Sequence, residues 1–145
     1  MKKSIIQCIR EFIETYPELK DFKNVFKKVD IDKLEEDATA YMIETVPAEP
    51  IIKKYMDGSS IRQTVFALSS REYYTEFDNE GTAAFYDDFS AWVERCNESH
   101  VLPKLPEGME SQSIKLTTNG YLMDADADKC QYRIQGVLKY YQKPL

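Results

Sequence analysis

Glycine is scarce in this 145-residue chain, with five in all, and histidine occurs once. There is no G-x-G-x-x-G and no G-x-x-x-x-G-K-[ST]. The chain therefore lacks the glycine-rich loops that let a backbone close around phosphate groups. Ser99 and Cys96 stand close to the single histidine, His100, in the sequence, but neither spacing suggests a nucleophile pair. Nor does the run from His100 to Lys104 make the H-x-x-x-D pattern of acyltransferases. Its position just past a predicted helix assigns it to capping helix carbonyls. Glu72, Asp78, Glu80, Asp87 and Asp88 supply carboxylates, but nothing in the sequence pairs them as acid and base.

Three cysteines, Cys8, Cys96 and Cys130, lie far apart without a C-x-x-C pair. That excludes a disulfide framework and a zinc site, and it predicts reduced, mostly buried thiols in a cytoplasmic chain. No apolar run approaches the roughly 20 residues of a membrane helix. The lysine pair at the start resembles a signal sequence, but Gln7, Arg10 and Glu11 break the apolar segment that follows. Basic excess is missing too. The net charge is -6, and the densest basic stretch, Lys20 to Lys33, is interleaved with acids. Direct nucleic-acid binding, which needs a concentrated basic surface, is not expected.

The acidic run MDADADK, Met123 to Lys129, spaces its aspartates as a calcium loop does. Such a loop needs glycine at position six and a carboxylate at position twelve. Counted from Asp124, those places hold Lys129 and Gln135. Lysine blocks the tight turn and adds positive charge beside the ion, so the run is read as an acidic, solvated connection. No metal or other cofactor is expected.

Hydrophobic residues make up 43% and charged residues 30%, a composition that suits one globular domain over 1–145. Ile5, Ile9, Phe12, Ile13 and Tyr16 follow helical spacing, with Ser4 as N-cap and Pro17 as the stop. Leu19, Phe22, Val25, Phe26 and Val29 suggest a second short helix. From Ala38 the period changes. ATAYMIETVP is a strand pattern, and IIKKYM-DGSS-IRQTVFALSSREYY reads as a β-hairpin, with Asp57-Gly58 supplying the positive φ angles. A helix returns through Phe85, Phe89, Trp92, Val93 and Cys96, with Asp87, Asp88 and Glu94 outward. Asn97 to Met109, with Pro103, Pro106 and Gly108, reads as irregular.

In CQYRIQGVLKYYQ the even positions from Cys130 to Tyr140 are apolar and the odd ones mostly polar. This is the period of a half-buried antiparallel strand. SIKLTT alternates likewise and turns Ile114 and Leu116 inward. The expected fold is α+β: an antiparallel sheet of four to five strands with an N-terminal and a central helix on one face. Tyr140 and Tyr141 then point to opposite sides. Two readings of the outward tyrosine stand, an interface residue or a hydroxyl in water.

Taken in order, YMIETVPAEPIIKKYMDGSSIRQTVFAL, FYDDFSAWVE and SIKLTTNGYLMDADADKCQYRIQGVLKYYQK resemble small tail-module proteins of siphophages and Gram-positive prophages. These are often labelled minor capsid or tail proteins, and the functional match is the tail terminator, or head–tail joining protein. The resemblance runs from about Ala38 to Lys143. Its cues are P-x-x-P-I-I-K-x-Y-x-D-G-S, F-Y-x-x-F-x-x-W, N-G-Y-L and the closing K-Y-Y-Q. Some relatives carry an acetyltransferase-type resistance label, which the missing H-x-x-x-D argues against carrying over.

The resemblance implies a non-enzymatic structural protein that closes a ring, commonly of six, on a growing tail tube. It would stop polymerisation there and meet the head connector. Implied partners are further copies of the chain, the tube protein and the connector, with no membrane. Implied locations are the host cytoplasm during assembly and then the head-proximal end of the tail. Face and reach nominate Arg133, Gln135, Lys139 and Tyr141 on the last strand and Arg62 and Gln63 on the hairpin as contact residues. The same logic offers Asp124, Asp126 and Asp128 as a charged loop facing a basic partner surface or the lumen of the ring. The other readings are a connector stopper, a tail assembly chaperone or a small cytosolic enzyme.

Overall fold

A computed structural model describes residues 3–17, 29–31, 40–73, 79–125 and 129–145. For 29–31, 40–41, 71–73, 79–83, 122–125 and 129–131 it describes the backbone path alone. The chain order is α1 (Ile5–Ile13), β1 (Val29–Ile31), β2 (Ala40–Val46), β3 (Ile51–Lys54), β4 (Ser60–Tyr73), α2 (Asn79–Glu98), β5 (Met109–Leu116), β6 (Tyr121–Ala125) and β7 (Lys129–Gln142). The architecture is α+β, with helices packed against one face of the sheet.

Helix α1 starts where its chemistry predicts. The Ser4 side chain accepts the Gln7 amide N–H while the Gln7 side chain accepts the Ser4 N–H, a reciprocal capping box. The end differs from the expected stop at Pro17, since the helix closes at Ile13. The Thr15 hydroxyl donates to the Phe12 carbonyl, and the Tyr16 amide donates to the Ile13 carbonyl. That turn still carries Tyr16 into the core. Apart from Val29, which lies in β1, the proposed second helix from Leu19 falls outside the described residues.

The sheet order is β1-β2-β4-β7-β5. Neighbours pair antiparallel except β1, which runs parallel to β2. The two long strands β4 and β7 lie side by side from Ser60↔Gln142 to Tyr73↔Lys129. Each has an interrupted partner on its far side. Along β4, pairing with β2 reaches Val46↔Val65 and resumes with β3 at Ile51↔Arg62. Along β7, pairing with β5 ends at Leu116↔Gly136 and resumes with β6 at Tyr121↔Arg133. Residues 47–50 and 117–120 are thus two excursions of one kind, each longer than the stretch of long strand it faces.

The β3–β4 hairpin forms as expected, by a slightly different turn. Gly58 donates its N–H to the Tyr55 carbonyl and has φ 92°, while Asp57 keeps a negative φ. This is a three-residue loop closed by a glycine bulge, not a two-residue turn with both central angles positive. The acidic run is also placed differently. Asp124 and Ala125 belong to β6 and Lys129 opens β7, while Asp126 and Asp128 lie outside the described residues.

The core lies between the helices and the inward face of the sheet. Ile9, Ile13, Ile43, Phe66, Leu68, Phe89, Ile134 and Leu138 are fully buried there. The even positions of β7 from Tyr132 to Tyr140 are all buried, as their alternation predicts. Aromatic rings join the two helices: Trp92 stands 4.9 Å from Phe12 and 5.1 Å from Tyr16 between centroids. Buried Tyr86 places its hydroxyl 2.7 Å from the Ser70 hydroxyl. Cys8 and Cys96 are buried free thiols, and burial pushes both thiol pKa values up; the Cys130 side chain lies outside the described residues.

Candidate interaction surface

Period-2 alternation gives each long strand two faces, so the residues interleaved with the core form a second, continuous surface. Ala67 and Ser69 lie at its centre on β4 and are fully buried, although no described element covers this face. Arg133, opposite Ser69 on β7, reaches Glu44, opposite Ala67 on β2, and their ion pair spans the small residues between. Beside it runs an apolar strip. Val65 pairs with Val46 on one side and Val137 on the other, and Ile61 pairs with Tyr141. All five are half-buried.

Gln63, Arg133, Gln135, Lys139 and Tyr141 come together on this face, with Gln63 directly opposite Lys139. Arg62 does not join them. It is opposite Tyr140 on the helix-bearing face, with Nε 2.9 Å from the Ser60 hydroxyl. There it helps hold back the Tyr140 pKa, which burial pushes up. Asp124 has a backbone place in β6, its side chain lying outside the described residues.

Several nominated side chains already have work inside the chain. Gln63 Nε2 donates to the Glu49 carbonyl at 2.8 Å, and its amide donates to the Pro50 carbonyl, fastening the first excursion. Gln135 fastens the second: its amide donates to the Thr118 hydroxyl at 3.0 Å, and its Nε2 donates to the Tyr121 hydroxyl. Arg133 is held by Glu44. Among the described residues, Lys139 and Tyr141 make no side-chain hydrogen bond or ion pair. These two carry the nomination best.

The sequence reading missed a cleft of about 370 Å³ between the last turns of α2 and β5 with its excursion. Val93, Ile114 and Leu116 give it an apolar floor, and Glu94 and Glu98 stand on its helix wall. The Asn97 side chain accepts the outward Ile114 N–H at 3.0 Å and so blunts part of the β5 edge. The N-G-Y-L cue marked the spot. Gly120 lies where an added Cβ would come within 2.6 Å of Tyr86 Cβ, so the excursion rests on the helix.

His100 is exposed, and its capping role belongs to its backbone rather than its ring. Its N–H donates to the Asn97 carbonyl and the Val101 N–H to the Cys96 carbonyl, with His100 at φ 57°. That is a Schellman closure. Among the described residues, no group of three or more His, Cys, Asp or Glu could hold a metal ion. No described helix is long and apolar enough to cross a membrane.

These features define a class: an α+β domain whose described helices pack on one face of the sheet, the other face mixing polar and apolar residues. Compared with known protein families and with curated proteins, the chain matches neither a family nor an individual protein.

Proposed function

We propose that this chain is a structural phage or prophage tail protein, a tail terminator that closes a ring on the end of the tail tube. The observation that carries the proposal is a sheet face on which no described helix packs. That face presents Val46, Val65 and Val137 in register, with Lys139 and Tyr141 beside them. A surface of this composition suits contact with other protein, as aromatic and apolar residues framed by charge are typical of interface cores and rims. The sheet also ends in short or interrupted strands at both sides, which suits head-to-tail neighbours in a ring. The order of sequence cues from Ala38 to Lys143 supplies the tail assignment.

The test is reconstitution with the tube protein of the same phage or prophage. Purified chain added to polymerising tubes is expected to halt growth at short lengths. Negative-stain images should show a ring at one end. Tubes that lengthen unchanged, with no ring, would sink the proposal. Binding to the connector without binding to tube ends would make the chain a connector stopper instead.

A further inference from the structure

Two features at opposite edges of the sheet have no evident use inside the chain. At one edge the β3–β4 hairpin tip exposes Ile52, Tyr55 and Met56, at 46%, 40% and 107% of their full accessibility. Lys53 and Lys54 stand among them, and Lys53 Nζ lies 5.1 Å over the Tyr55 ring. The tip is held in shape. The Asp57 carboxylate accepts from both the Ser59 amide and hydroxyl, and Tyr55 exchanges backbone hydrogen bonds across the loop. A fixed apolar projection with two cations is a surface built for contact.

At the other edge lies the cleft between α2 and β5. Its floor is apolar and its helix wall carries Glu94 and Glu98. These acids are one turn apart at the C-terminal end of α2. Like charges at that spacing repel, and the negative end of the helix dipole opposes both. Among the described residues neither carboxylate has an ion-pair partner. Lys115 on the strand side leaves the cleft net negative. Local physics disfavours the acid pair, so its compensation is expected to come from outside the chain.

We infer that the hairpin tip of one copy docks in the α2–β5 cleft of the next copy. Met56 meets the floor of Val93, Ile114 and Leu116, while Lys53 and Lys54 face Glu94 and Glu98. Donor and acceptor sit on opposite edges of one sheet, so the contact is head-to-tail, the kind that builds a ring when the rotation between copies closes. The inference rests on the ring proposed above and names the contact that builds it.

A charge exchange tests it. One variant carries Lys53→Glu with Lys54→Glu, the other Glu94→Lys with Glu98→Lys. All four side chains are exposed, so both variants should keep the wild-type circular dichroism spectrum. Each is measured alone and as an equal mixture, by sedimentation velocity in solution and by co-sedimentation with tail tubes. Each alone is expected to weaken self-association by about tenfold or more, and the mixture to restore it, because each tip then meets a cleft of opposite sign. Met56→Ser should weaken association without being rescued by mixing. Oligomers unaffected by either exchange would overturn the docking and leave the ring with some other interface. Loss in both variants without rescue would also overturn it, since the charges would then not face each other. A wild-type chain that stays monomeric in solution and on tube ends would remove the ring and the docking together.

Discussion

His100 holds a φ of 57°, a conformation that strains any residue with a Cβ and leaves glycine unstrained. Its ring is exposed and its backbone makes the closure. His100→Gly should therefore stabilise the fold by about 0.5–1 kcal/mol, which thermal unfolding would register as a rise of a few degrees. A drop in melting temperature would mean that the ring contributes after all. Asp57 makes a second prediction at this scale. Hydrogen bonds from the Ser59 hydroxyl and amide hold its carboxyl below the usual aspartate range. For a depressed folded pKa, the stabilisation is complete above the unfolded value near 4 and is lost as pH falls through the lower folded value. Protection of the Ser59 amide from hydrogen exchange should fade with acid over that window. In Asp57→Asn the acid dependence should vanish.

The elements show why packing around the long strands is sensitive to single atoms. Gly136 lies on β7 between Phe66 and the end of β5. An added Cβ would stand 2.7 Å from Phe66 Cζ and 2.9 Å from the Lys115 carbonyl oxygen. The side chain can yield more easily than the backbone oxygen, so Gly136→Ala should cost about 1–3 kcal/mol in urea unfolding. An unchanged midpoint would show that β5 shifts without penalty. Much at this scale was legible in the sequence. Strict alternation fixed the faces of β7, helical spacing placed α2, and Ser4 marked the start of α1. The excursions were not legible, because Pro47 and Pro50 look the same whether a strand stops or resumes beyond them. Only pairing with β4 decides. The parallel β1 depends on a partner distant in sequence, and residues 29–31 are too few to show a period. For the surface, alternation grouped Arg133 with Gln135 and Lys139, but it did not separate Gln63 from Arg62, which faces the other way. It could not show that Glu44, 89 positions from Arg133, already holds the guanidinium.

At the scale of the whole molecule, adjacent residues on one strand separate folding from assembly. Leu138 is fully buried under the helices, while its neighbour Val137 lies half-buried on the opposite face between Val65 and Lys115. Leu138→Ala removes core volume and should cost about 2–5 kcal/mol. Val137→Glu puts a charge among half-exposed neighbours, where water still reaches it, and should change stability by no more than about 1 kcal/mol. If this face meets other subunits or the tube, the same glutamate is desolvated on assembly and the cost falls on binding. The expected pattern is a Val137→Glu chain with a near-normal melting temperature that no longer caps tubes. Leu138→Ala should instead lose melting temperature first and cap only as far as it stays folded. Normal capping by Val137→Glu would mean that assembly leaves this face in water. Global unfolding by that substitution would mean that the face is already covered within the chain, and the contact surface would then have to be sought at the sheet edges, where the hairpin tip and the α2–β5 cleft lie.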